Sequence, residues 1–205
     1  MKKIALASAI ALASITAAHA APTVYGKVLL TGEYTDVDDK TAANKDTSTT
    51  KLVSNSSRIG FKGEDDLTDT TKLVYQLEYG IDVDADTNGK GQFYSRNTFI
   101  GLAHNTMGTL IAGRHDTPFK LAKGGVDVFN DYDNVGLGKL MAGENRANNV
   151  IAYKSPTLVG TPVTFMAAAV LSEEDKDVDD ANTDIDEGAN GYSASLAYDQ
   201  NGVYL

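Results

Sequence analysis

The chain has 205 residues and no cysteine, and its 28 acidic residues against 18 Lys and Arg give a net charge of −10 at pH 7. This acidic balance argues against nucleic acid as a partner. Without cysteine, neither a disulfide framework nor a zinc–thiolate site can form. A packed core, a sheet or a membrane must therefore supply the stability.

Residues 1–20 have the pattern of a secretory signal peptide. Two lysines precede an apolar stretch, and the small residues Ala18 and Ala20 are typical of a cleavage site. A membrane-spanning helix is the alternative, but the apolar stretch is shorter than about 18 residues and is diluted by serine and threonine. We therefore expect the chain to be exported, with the mature part beginning at Ala21.

Apolar and polar residues alternate through much of the remaining chain, which is the period of a β-strand. Residues 71–82 show this most clearly, because leucine and tyrosine occupy one face while Lys72, Gln76 and Glu78 occupy the other. The pattern predicts an all-β, antiparallel protein. Strands are expected over 23–34, 52–64, 71–83, 92–104, 109–114, 147–156, 162–171 and 190–199, with a ninth beginning at Gly202.

The connections between these strands alternate in length. Short ones are predicted at 65–70, 105–108, 157–161 and 200–201, and longer polar ones at 35–51, 84–91, 115–146 and 172–189. This alternation is typical of transmembrane β-barrels, which have tight periplasmic turns and larger outer loops. After residue 20 no segment has the roughly 20 apolar residues of a spanning helix, so a membrane form would be a barrel.

Two questions about this barrel stay open in the sequence. Soluble sheets alternate too, so the alternative is a secreted soluble β-sheet adhesin or binding module, which predicts folding without detergent. In addition, single-chain bacterial barrels have an even number of strands, and the predicted ninth strand has no partner. We therefore expect residues 21–205 to be the N-terminal part of a longer barrel.

Several segments, in collinear order, resemble the general porins of Gram-negative outer membranes. The most specific is SRIGFKGEDDL at 57–67, which resembles the second strand and turn of that family. Weaker matches lie at 24–27, 73–78, 99–102, 107–114 and 146–156. The resemblance implies homotrimers of barrels with about sixteen strands each, of which this chain would cover the first eight or nine. It also implies a surrounding of outer-membrane lipid and lipopolysaccharide, and a third outer loop, here about 115–146, that folds inward to narrow the pore.

The resemblance further implies a charged filter, with a ladder of basic residues on the barrel wall opposite acidic residues of the inward loop. By motif position the ladder would be Lys27, Arg58, Arg96 and Arg146. Each lies on the polar face of its predicted strand, and a lipid-facing charge near the membrane centre would cost about 2–4 kcal/mol.

The acidic residues of this filter match the family pattern less closely than the basic ones. The acidic loop tip common in enterobacterial porins is replaced by GKLMAGE at 138–144. The best candidates for the loop acids are therefore Asp127, Asp131 and Asp133. Arg114, at the junction of strand and loop, is expected either to join the ladder or to anchor the loop.

The predicted function is passive diffusion of ions and small hydrophilic solutes, without a cofactor. Two acidic runs, 82–86 and 175–179, lack the glycine and the final glutamate of an EF-hand, so no specific metal site is predicted. His104 and His115 belong to no recognisable nucleophile motif, and we expect no enzymatic activity.

Overall fold

A computed structural model describes residues 21–37, 47–84, 92–132, 136–158, 160–172 and 189–205. The predicted signal peptide at 1–20, the loop acid Asp133 and the acidic run at 175–179 lie outside the described residues. Within the described part, eleven strands and two short helices make up the fold. The strands are β1 (Thr23–Lys27), β2 (Leu30–Val37), β3 (Thr47–Ser54), β4 (Arg58–Thr68), β5 (Thr71–Ile81), β6 (Phe93–His104), β7 (Gly108–Asp116), β8 (Arg146–Lys154), β9 (Val163–Leu171), β10 (Ala189–Gln200) and β11 (Val203–Tyr204). Between β7 and β8 lie the α-helix α1 (Pro118–Ala122) and a 3-10 helix (Leu137–Lys139).

The strands form an antiparallel meander, which confirms the predicted fold class. One nine-stranded sheet has the order β1-β4-β5-β6-β7-β8-β9-β10-β11, and β2 and β3 form a separate two-stranded ribbon. Each strand of the large sheet pairs in antiparallel fashion with its neighbours, and β1 and β11 are its two edges. Among the described residues, the sheet is therefore open and not closed into a barrel.

Two of the turns show how the sequence sets the strand ends. Asn201 and Gly202 both have positive φ, the conformation that a two-residue hairpin between β10 and β11 requires. The turn after β4 is shorter than predicted, because the ladder continues to Thr68 through an acidic run. Lys72 on β5 offsets that charge by ion pairs with Glu64 and with Asp66, the latter at 3.7 Å.

One face of the sheet, here called the outer face, is apolar and open. In the strand register it carries Phe61, Leu77, Ile100, Leu110 and Ile151, whose exposed fractions lie between 38% and 54%. Side chains of this size are costly to leave in water, at about 25 cal/mol per Å² of apolar surface. A continuous apolar band on one face of the sheet is the arrangement expected of a lipid-facing wall.

The opposite face, here called the inner face, is largely polar over β1, β4 and β5 and apolar over part of β7 to β9. A buried cluster of Ile111, Val150, Ala152, Met166 and Ala168 forms the core there. The helix α1 contacts β9 and β10 on this face. The segment 117–145 is here called the inner loop. Its described residues lie on the inner face through α1, whereas Val126, Val128 and Phe129 remain 53% to 75% exposed.

Each of the first two predicted strands is interrupted and divided into two segments, and the two interruptions lie side by side. Pairing of β1 with β4 ends at Lys27 and Arg58, and pairing of β2 with β3 begins beyond the break. The buried Ser57 hydroxyl accepts a hydrogen bond from Leu29 N at 3.0 Å and lies 3.2 Å from the Leu29 carbonyl oxygen. The Asn55 backbone N–H donates to the same carbonyl at 2.9 Å. The Ser57 hydroxyl and the Asn55 backbone N–H thus replace the ladder bonds that the break removes.

We predict that Ser57→Ala destabilises the folded protein by about 1–3 kcal/mol, because the partly buried Leu29 N–H loses its acceptor. Urea unfolding in detergent micelles, followed by the change in electrophoretic mobility, measures this difference. The matched control is Ser48→Ala on the exposed face of β3, expected to change the stability by less than about 0.5 kcal/mol. Equal losses in the two variants would contradict the structural role of the Ser57 hydroxyl.

Candidate functional site

The structure brings together the cations that the sequence analysis assigned to the ladder. Lys27 on β1 and Arg58 on β4 are direct partners in the strand register, and Arg96 and Arg146 lie on β6 and β8. Arg58, Arg96 and Arg146 line one cavity of about 530 Å³ on the inner face, together with Lys120 and Lys123 of the inner loop. These basic groups therefore face a common space.

Glu78 on β5 is the acid that lies between two of these arginines. Its carboxylate accepts a hydrogen bond from Arg96 Nε at 2.7 Å and lies 3.9 Å from Arg58 Nε. The Tyr25 hydroxyl donates to it at 3.0 Å, and only 9% of the Glu78 side chain is exposed. Strand alternation placed Glu78 on the polar face. Its pairing with Arg96 and Arg58 depends on the register between strands, which cannot be predicted from one strand alone.

A glycine makes room for this arrangement. Gly60 is the partner of Glu78 in the register, and the Tyr25 ring lies 2.4 Å from the point where a Gly60 side chain would begin. Any larger residue at Gly60 would displace the ring, so the glycine allows Tyr25 to lie flat on the wall and reach Glu78.

Arg146 has a separate acidic partner on the wall. Its guanidinium lies 3.1 Å from a carboxylate oxygen of Asp116, at the end of β7, and donates to Asn97 Oδ1 at 2.7 Å. Asn97 in turn donates to Asp116 at 2.9 Å, and Lys120 Nζ lies 3.5 Å from the same carboxylate. Asp116 therefore joins the wall to the first turn of the inner loop.

Asp131 is the candidate loop acid that contacts the predicted ladder. It forms an ion pair with Lys27 Nζ and accepts a hydrogen bond from Arg58 Nη1 at 3.1 Å. Partial burial opposes its ionisation, but the hydrogen bonds from Lys27 and Arg58 outweigh this effect and lower the pKa of Asp131. At neutral pH this carboxylate is a fixed negative charge against two cations of the wall.

The other proposed loop residues have different surroundings. Asp127 bonds to Lys123 Nζ and to Leu137 N, both at 3.0 Å, so it is directed into the loop and not toward the wall cations. Asp133 lies outside the described residues. Arg114 donates to Ser95 O at 3.2 Å and to Asn148 Oδ1 at 2.5 Å. In the register it pairs with Thr98 on the outer face, so these bonds connect it to neighbouring strands.

The inner loop is held on the sheet by its first residues. Thr117 caps α1 by accepting a hydrogen bond from Lys120 N at 3.3 Å, and proline follows it at the first helical position. Phe119 N donates to Ser193 Oγ on β10 at 3.0 Å, and the Tyr204 hydroxyl donates to Leu121 O at 3.4 Å. The helix α1 therefore directs the beginning of the loop across the inner face and not away from the sheet.

The described residues contain no cluster of three or more His, Cys, Asp or Glu side chains placed to hold a metal ion. None of their helices combines the length and the apolar composition needed to cross a membrane.

The sequence profile of Gram-negative porins matches residues 5–205. The chain belongs to the Gram-negative porin family. An outer membrane porin protein of Bordetella pertussis is 31% identical over 199 residues, which are 89% of this chain and 51% of that protein. The major outer membrane protein P.IB of Neisseria sicca is 28% identical over 212 residues, covering all of this chain and 56% of its own length.

A solved porin structure shares the fold. The anion-selective porin from Comamonas acidovorans superposes with a TM-score of 0.68 at 24% identity, over 90% of this chain and 55% of that one. At this identity the likeness concerns the fold alone. The chain spans about half the length of these curated relatives.

We predict that the contact of Asp131 with Lys27 and Arg58 survives mild acid. The lowered pKa means that the folded state favours the ionised carboxylate. The stabilisation is therefore present above the ordinary aspartate value of 3.8 and is lost as the pH falls through the lowered value. A spin label at the exposed position of Val128 should report a restricted loop from neutral pH to about pH 4.5, and greater mobility only below 3.8.

The control for this measurement is Asp131→Asn, which cannot ionise. In this variant the label should be mobile at every pH, because an uncharged side chain at position 131 cannot form the ion pairs with Lys27 and Arg58. A rise in mobility between neutral pH and about pH 4.5 in the unmodified sequence would contradict the assignment.

Proposed function

We propose that this protein forms a passive, water-filled channel in the Gram-negative outer membrane, through which ions and small hydrophilic solutes diffuse. The observation that carries the proposal is the contact of Asp131, on a loop packed against the inner face, with Lys27 and Arg58 of the wall. An apolar outer face and a charged inner face are what a lipid-embedded wall around water requires. Membership of the porin family supports the same function.

The proposed filter works by charge and width. Lys27, Arg58, Arg96 and Arg146 would form the basic side, with Asp131 and the undescribed Asp133 on the loop side. Asp127, by its bond to Lys123, would act within the loop. Opposed charges across a narrow aqueous slot create a transverse field that favours polar solutes over apolar ones. No bond is made or broken, so we propose a channel and not an enzyme.

The proposal extends to the assembly and its surroundings. We expect a homotrimer of barrels in contact with outer-membrane lipid and lipopolysaccharide, exported through the signal peptide at 1–20. The exposed apolar band of the outer face supports a lipid environment. The alternative, a secreted soluble adhesin or binding module, has no support in the family match. Stepwise conductance of the purified full-length protein in planar bilayers tests the channel directly.

We predict that neutralising Arg58 and Arg146 together, as Arg58→Gln with Arg146→Gln, shifts the ion selectivity several-fold toward cations. Removal of the two guanidinium groups leaves Asp131 and Asp116 with fewer cationic partners. The reversal potential across a bilayer with a salt gradient measures the permeability ratio.

The control is Arg114→Gln, which removes one positive charge from the outer face. It should leave the permeability ratio unchanged, since its hydrogen bonds connect strands of the wall. An unchanged ratio in the double variant, or an equal shift with Arg114→Gln, would show that the ladder assignment is wrong.

We predict the opposite shift, toward anions, for Glu78→Gln. Glu78 offsets Arg96 directly and Arg58 at longer range, and its burial shields it from solvent screening. The control is Glu64→Gln, on the same face but with a side chain that is 58% exposed and paired with Lys72, for which a smaller shift is expected. If both variants moved the reversal potential equally, position on the inner face and not pairing with the arginines would explain the effect.

A further inference from the structure

A cluster inside the inner loop binds one lysine to three partners. Lys123 Nζ donates to Asp127 Oδ2 at 3.0 Å, to Asn130 Oδ1 at 2.7 Å and to the Glu144 carboxylate. We call these four residues the loop clasp. The clasp joins positions that are up to 21 residues apart in the sequence.

The three charged members of the clasp are largely withdrawn from solvent, whereas Asn130 is exposed. The exposed fractions of the side chains are 14% for Lys123, 3% for Asp127 and 5% for Glu144. Two carboxylates at this depth need a cation, because an unpaired buried charge is strongly destabilising. Lys123 is therefore the group on which the folded form of this part of the loop depends.

The clasp also fixes the residue that touches the wall. Asn130 immediately precedes Asp131, and Asp127 accepts a second hydrogen bond from Leu137 N at 3.0 Å. Asn130 N donates to Asp127 O at 3.2 Å, so the turn from 127 to 131 is closed on itself. The position of Asp131 is thus set from within the loop by the clasp and from outside by Lys27 and Arg58.

We propose that Lys123 is a positioning residue of the channel, which acts through Asp131 by holding the turn 127–131 against the wall. This inference rests on the proposed channel function. Loss of the clasp frees the turn, so Asp131 leaves Lys27 and Arg58 for part of the time. The open channel then fluctuates between several conductance levels, where the intact clasp gives one.

The test is a single-channel recording of the full-length protein with Lys123→Met. We expect frequent sublevels and a clear increase in open-channel noise. Lys123→Arg keeps the charge and should restore a steady level. The control for charge alone is Lys120→Met, which removes a lysine from the same loop and the same cavity but outside the clasp. Lys120→Met removes the contact with Asp116, but the bonds of Phe119 to Ser193 and of Tyr204 to Leu121 still hold this end of the loop. It is therefore expected to alter selectivity while the current stays at one level.

Two further variants keep the test decisive if Lys123→Met does not fold. Asn130→Ala leaves both ion pairs of the clasp intact and removes the contact next to Asp131, so intermediate noise is expected. Adding Asn130→Ala to Asp131→Asn should then add little noise, because the effects of residues that act through one contact are not additive. Full additivity of the two variants would overturn the proposal.

The outcomes separate this inference from the channel function. If the unmodified protein gives steps and Lys123→Met is as steady as Lys120→Met, the positioning role is wrong and the channel stands. If Lys123→Arg is as noisy as Lys123→Met, the clasp does not act through its charge as proposed. If the unmodified protein gives no conductance steps at all, the proposed function itself is wrong.

Discussion

The separation of charge between the two faces of the sheet is the constraint on which the rest of this structure depends. A strand directs alternate side chains to opposite faces, so a strand with one face in hydrocarbon must carry its charges on the other. An arginine on the lipid side near the membrane centre would cost about 2–4 kcal/mol. The constraint therefore brings Arg58, Arg96 and Arg146 to a common cavity, although they are far apart in the sequence. Arg114 lies on the outer face only where polar atoms of Ser95 and Asn148 meet its guanidinium.

Concentration of like charges on one face would destabilise the sheet if the acids were elsewhere. The structure instead pairs each wall cation with an acid at short range, through Glu78, Asp116 and Asp131. Two of these acids belong to the wall and one to the loop. The loop is consequently attached by electrostatics at Asp131 and by packing at α1, where Phe119 N meets Ser193. Attachment at two distant points is what turns a long loop into a fixed part of the inner face.

The strand pattern was predictable because period-two alternation is a local property, and the nine predicted strands all occur. The break at Ser57 was not predictable from the sequence, because the Ser57 hydroxyl replaces ladder bonds only once two strands are paired. For the same reason the sequence placed Glu78 on the correct face but gave it no partner. Among the loop acids, Asp127 and Asp131 are four residues apart and chemically identical. Their different surroundings depend on Lys123, on Lys27 and on the path of the whole loop.

The pairing of charges also bears on how the proposed channel would discriminate between ions. Four wall cations, Lys27, Arg58, Arg96 and Arg146, are paired with three acids, Glu78, Asp116 and Asp131, among the described residues. Because each of these cations has an acidic partner, the sign of the selectivity depends on which charges are exposed to the solute and not on the number of cations. Glu78 is nearly enclosed, whereas Lys27 and Asp131 keep 34% and 28% of their side chains exposed. A passing ion would therefore meet the Lys27–Asp131 pair more directly than the buried arginine–glutamate pair, and the position of the loop would set the local field.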